Sequence, residues 1–124
     1  MTADEIPDPH RLQVRLWVNG ALKQNFSTSD MAHKIPRCIE WLSAIHSLEP
    51  GDVLATGTNH RGLSGFQNGD KVELEVEGLG RLQIAVRDDL KRTWARTTRL
   101  EWSQQSSEGV TTPQLTGTYA PARR

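Results

Sequence analysis

From Thr56 to Phe66 the chain reads Thr-Gly-Thr-Asn-His-Arg-Gly-Leu-Ser-Gly-Phe, a run of glycine and small polar residues carrying one imidazole and one guanidinium. A segment of this composition following an apolar run reads as a functional loop, because binding groups are usually displayed on loops held by a rigid scaffold. Three other clusters suggest chemistry, and each is better explained otherwise. Glu73, Glu75 and Glu77 alternate along the chain. Carboxylates suit a hard cation, but alternation on a strand sends these three to the face opposite Val72, Leu74 and Val76, where they are solvated surface. Asp4, Glu5 and Asp8 form a flexible acidic terminus, whereas a cation cage needs several oxygens fixed in space. Cys38 is the single cysteine, which excludes an internal disulfide and a thiolate-rich zinc site. On the apolar face of a helix it is read as buried packing rather than as a nucleophile.

The elements that must position the loop follow from hydrophobic period and turn chemistry. Leu12, Val14, Leu16 and Val18 alternate with Gln13, Arg15 and Trp17, the pattern of a strand with one buried face. Asn19-Gly20 favours a type I′ turn, so Ala21 to Phe26 returns as a second strand. Ser27 to Asp30 is rich in capping residues and begins an irregular connection. From Ile35 to His46, apolar residues at helical spacing with Pro36 in the first turn predict one helix, near residues 35–47. Glu49-Pro50-Gly51-Asp52 stops it, and Val53, Leu54 and Ala55 read as a buried strand leading into the loop. Beyond the Asn68-Gly69-Asp70 turn, Val72, Leu74 and Val76 alternate with glutamates, Gly78-Leu79-Gly80 reverses the chain, and Leu82, Ile84 and Val86 alternate on the way back. The class is mostly β, or α+β, with an acidic N-terminal segment over 1–11, a partial domain over 12–102 and a disordered tail over 103–124.

Composition bounds the partners. With 124 residues the chain is one domain, and a compact body of that size buries roughly 65% of its unfolded surface. The formal net charge is zero, which argues against a nucleic-acid binder. One stretch is locally basic: Arg81, Arg87, Lys91, Arg92, Arg96 and Arg99 face only Asp88 and Asp89. With Trp94 the one interleaved aromatic, it reads as solvated surface. No run approaches the roughly 20 apolar residues of a membrane span, and Met1 to His10 is too polar and acidic for a signal peptide, so a cytoplasmic protein is expected.

Taken in order, these segments resemble the C-terminal half of the fumarylacetoacetate hydrolase family. The resemblance rests on the Val18-Asn19-Gly20 hairpin, on Gln24 and Thr28 to Met31, on the helix, and on LEPGDVLATGT at Leu48 to Thr58. It continues through NGDKVELEVEGLG at Asn68 to Gly80 and covers Leu12 to Arg87. It implies part of a mixed β-sandwich roll, a homodimer, and a divalent magnesium, manganese or calcium ion. The implied substrates are small acidic oxo compounds, cleaved at a carbon–carbon bond, decarboxylated or hydrated. Thr58 matches a family threonine whose backbone and hydroxyl contact the carboxylate end of the substrate. Thr56 and Gly57 shape that turn, Gly57 by close backbone approach. Where many relatives have a proline, this chain has Asn59-His60-Arg61-Gly62, and His60 and Arg61 are open to substrate contact or to a structural, solvent-facing role.

The family's acidic metal ligands, its catalytic His or Glu and its lysine all lie upstream of the matched segment. The resemblance therefore implies no catalytic residue, no metal ligand and no cofactor of this chain's own. The expectation is a fragment of a family enzyme that is inactive alone. The alternatives are a C-terminal subunit that completes an active site with a separate N-terminal half, or a non-catalytic interaction module using strand edges and the basic stretch. Removing half of a sandwich exposes an apolar face, so self-association is also expected.

Overall fold

Asn19 (φ 51°) and Gly20 (φ 80°) both take left-handed backbone, which is what a two-residue type I′ turn requires and what an asparagine and a glycine tolerate best. The computed structural model, which describes residues 2–105, accordingly places β1 (Gln13–Val18) antiparallel to β2 (Ala21–Ser27). Gly78 and Gly80, also at positive φ, turn β3 (Lys71–Val76) into β4 (Gly80–Ala85). β1 then pairs with β3, giving one antiparallel sheet of order β2-β1-β3-β4. The two hairpins are tied at one end by their turns. Asn19 donates to Asp70 through Nδ2 at 2.9 Å, and Lys71 N donates to Asn19 Oδ1 at 2.9 Å.

Register sorts the side chains into two faces. Val14 lies opposite Val76, Leu16 opposite Leu74 and Val18 opposite Val72, and Val72 and Leu74 in turn meet Ile84 and Leu82. On this apolar face Val14, Val18 and Val72 are buried, whereas Leu82 and Ile84 on the edge strand are exposed. The opposite face carries Arg15, Trp17, Glu73, Glu75, Arg81 and Gln83. Of the glutamates expected to be solvated surface, Glu77 is exposed, but Glu73 and Glu75 are partly buried in an ion-pair lattice. Glu75 receives Arg81 at 2.8 Å and Arg15 at 3.2 Å, and Glu73 receives Gln83 Nε2 at 3.0 Å. Arg81 lies over the Trp17 ring, 4.4 Å from its centroid, so the guanidinium is shared between a carboxylate and an aromatic face. Hydrogen bonding by Arg81 lowers the pKa of Glu75, with Arg15 adding to the effect.

The helix α1 (Ile35–Ser43) stops short of the 35–47 span expected from its spacing. The Ser43 hydroxyl donates to the Glu40 carbonyl at 3.2 Å, and the amides of Ile45 and His46 converge on Leu42 O, which ends the i→i−4 ladder. None of its residues is buried, and Cys38 is half-covered rather than fully packed. The start of α1 is capped from a distance: Ile35 N donates to His10 Nε2 at 3.0 Å, and Asp8 Oδ1 accepts from His10 N at 2.9 Å. Part of the acidic terminus thus has a fixed place. Ser27 caps a short 3-10 turn, Thr28–Asp30.

Two expectations fail here. Residues 53–55 are not a buried strand: they have no regular structure, and Val53 is 94% exposed. A strand exists through its ladder partner, and the four-stranded sheet offers this run none. A second helix, α2 (Arg99–Gln105), is also present. It crosses the boundary at 103 where a disordered tail was expected; the rest of that tail, 106–124, lies outside the described residues. The α+β class stands, as a four-stranded antiparallel sheet with two helices. Among the described residues no helix is long and apolar enough to cross a membrane.

Candidate functional site

The site begins with an irregularity in β2. Leu16 pairs with Gln24 but Trp17 pairs with Leu22, so Lys23 is an extra, bulged residue. A bulge re-aims neighbouring groups, and here the polar Gln24 side chain is carried on the face that holds Val14 and Leu16. Gln24 is 7% exposed, and its carboxamide is engaged at both ends: Nε2 donates to Asn59 O at 3.0 Å, and Oε1 accepts from Thr58 Oγ1 at 3.4 Å. A buried amide with both ends occupied meets the requirement that buried polar groups be hydrogen-bonded. It also fixes the loop at Thr58–Asn59 above the sheet.

The bulge secures the next turn of the loop as well. A Cβ built on Gly62 would lie 1.9 Å from Lys23 O and 2.7 Å from Gln24 Cγ, whereas one on Gly57 would meet nothing within 4 Å. The close approach expected of Gly57 therefore belongs to Gly62. Gly57 is needed for a different reason, its φ of +82°, a region that a side chain disfavours. Asn59 completes the anchorage, donating through Nδ2 to Asp30 at 2.8 Å and accepting from Arg61 N at 3.0 Å.

An open cavity of about 980 Å³ lies between this loop and the apolar sheet face. Val14, Leu16 and Leu74 form part of its floor, and Asp30, Met31 and His33 part of the facing wall. All five residues singled out from the sequence, Thr56, Gly57, Thr58, His60 and Arg61, line it. Gln24 and Asp30 were not singled out as site residues, although an amide at the bulge of an otherwise apolar strand face was a signal. Asp30 is the one carboxylate among the described lining residues, and the Arg61 guanidinium makes no ion pair among the described residues. Arg81, Arg87, Arg92 and Arg96 do make such pairs, so most of the basic stretch is already neutralised by neighbouring carboxylates.

A hard divalent cation needs about six oxygens, usually with carboxylates among them. Among the described residues no three His, Cys, Asp or Glu side chains converge, and Asp30 and Gln24 are already turned toward loop residues. These residues do not by themselves fit such an ion, and no chemical step is derived through one.

The profile described as fumarylacetoacetate (FAA) hydrolase C-terminal matches residues 1–87. The 4-hydroxyphenylacetate degradation bifunctional isomerase/decarboxylase of Escherichia coli is 49% identical over 79 residues, which are 64% of this chain and 18% of that protein. The maleylpyruvate hydrolase of Aquipseudomonas alcaligenes is 39% identical over 87 residues, 70% of this chain and 30% of that protein. Among solved structures, maleylpyruvate hydrolase from Sphingobium sp. SYK-6 in complex with manganese(II) and pyruvate superposes with a TM-score of 0.67 at 37% identity. That match covers 70% of this chain and 33% of the other. The chain thus spans a third or less of the length of each of these three relatives.

Proposed function

The chain belongs to the fumarylacetoacetate hydrolase family, of which it carries a C-terminal portion, and from that premise we propose that its 56–62 loop is the carboxylate-facing wall of an active site for acidic oxo compounds. The observation that carries this reading is the Gln24–Thr58 pair. At 3.4 Å the bond is long for one hydroxyl to an oxygen, so it orients the Thr58 side chain while leaving the donor readily transferable to a ligand carboxylate. His60 and Arg61 line the same cavity, and the Arg61 guanidinium places positive charge where an anion would enter. The exposed amide backbone at Gly57 adds a further donor.

In this reading the 124 residues bind and orient, and they do not catalyse by themselves. A divalent ion, magnesium, manganese or calcium, would polarise the substrate's oxo group in the complete site. Its ligands and the catalytic base and lysine come from chain outside these residues, in the same polypeptide or in a separate subunit. The manganese(II) and pyruvate in the Sphingobium maleylpyruvate hydrolase support the metal and the class of ligand. No observation favours the alternative of a basic interaction module, since four of its six cations are already paired.

The test supplies the remainder of the family fold, in cis or as a second polypeptide, with Mg2+ or Mn2+ and oxaloacetate or an acylpyruvate. Turnover is expected only in the assembled protein. Thr58→Val should raise KM about tenfold, the loss of one hydrogen bond to a charged group. Equal turnover by the isolated chain, or kinetics untouched by Thr58→Val, would overturn the assignment.

A further inference from the structure

The family match ends at Arg87, yet residues beyond it return to the site loop. Trp94 O accepts from Gln67 Nε2 at 2.8 Å, and a Cβ on Gly65 would fall 2.7 Å from Trp94 Cβ. Lys23, the bulged residue, donates through Nζ to Arg96 O at 3.2 Å. Arg99 N donates to Leu63 O at 2.7 Å and Leu100 N to Arg61 O at 2.9 Å. Those two amides open α2, where a helix has donors with no partner inside it. The carbonyls on either side of Gly62 satisfy them, so capping the helix and anchoring the loop are one set of bonds.

The start of α2 is itself held by a reciprocal pair. Thr98 N donates to Glu101 Oε2 at 2.6 Å, and Glu101 N donates to Thr98 Oγ1 at 3.2 Å. This is a capping box, and the hydrogen bonds from Thr98 lower the pKa of Glu101. From the sheet side Gln24 and the Lys23 bulge hold the loop, and Asp30 holds Asn59 at its start; from the outer side residues 94–100 do so. We propose that residues 88–105 are a brace that positions the 59–66 loop, with Trp94, Thr98 and Glu101 as its positioning residues. Only the description of that loop as substrate-facing rests on the function proposed above.

The test is amide hydrogen exchange on the 124-residue chain. Glu101→Ala should speed exchange at least tenfold at Leu63, Arg99 and Leu100 and leave Leu16 and Leu74 at their original rates. Glu101→Gln, which can still accept from the Thr98 amide, should restore protection. Trp94→Ala should give the same pattern from the other anchor. Unchanged protection at Leu63 in both variants, or loss spread equally over β1 and β3, would overturn the brace. In the assembled enzyme Glu101→Ala should raise KM several-fold with kcat within twofold of the original. A loosened loop with unmoved KM would leave the brace standing and remove the substrate assignment of the loop.

Discussion

Asp70 is 2% exposed, and its charge is met by Arg96 with two hydrogen bonds of 2.9 Å each. That bidentate pair holds its pKa down at about 2 against the opposing effect of burial, with the Asn19 amide and Gln67 N adding to the depression. A carboxylate whose folded pKa lies below its unfolded value stabilises the fold above the unfolded value and loses that contribution as pH falls through the folded one. The predicted window is from pH 3.8 down to about 2. At neutral pH the contribution is about 2 kcal/mol. Asp70→Asn should therefore lower stability by about that amount in urea unfolding at pH 7, and the gap to the parent chain should close over this window. The Asn-Gly-Asp turn was legible in the sequence. The role of its aspartate was not, because its partner is 26 positions downstream in a stretch read only as surface charge.

At the scale of elements, the hairpins were legible because each is set by a two-residue period and a local turn. Val53 to Ala55 was misjudged because a short apolar run has no period, and its meaning depends on what lies beside it. The missed helix α2 did leave a signal, Thr98-x-x-Glu101, the spacing of a capping box. The loop and the bulge are one unit whose fit could not be read from either alone. Gly57 and Gly62 look equivalent in sequence and are not. Gly62→Ala forces a methyl into the Lys23 carbonyl and should cost at least about 2–3 kcal/mol. Gly57→Ala has open space and should cost about 1–2 kcal/mol, the strain of left-handed backbone. Denaturant midpoints of the two variants would show the order, and equal midpoints would contradict it.

At the scale of the whole molecule, Val14, Val18 and Val72 are the buried apolar residues among those described, too few for a large self-contained core. Ile39, Trp41, Ile45, Val53 and Leu54 are exposed around and after α1, as are Leu82 and Ile84 on the edge strand. Apolar surface on that scale, beside an open strand edge, favours association. The isolated chain should form concentration-dependent oligomers in sedimentation velocity, and Ile39→Glu with Leu82→Glu should shift it toward monomer. A parent chain monomeric throughout would argue against this. The β1–β3 seam has a kinetic consequence. Within the hairpins, partners such as Gln13 and Asn25 are 12 residues apart, or Arg81 and Glu75 only 6, but Arg15 meets Glu75 across 60. Closing that span costs about 1.5–2 kcal/mol more chain entropy than closing these hairpin contacts, so the seam sets the pace of folding. The site loop lies inside the span it closes. Each hairpin can form early, while the groove takes shape only once the two have found each other.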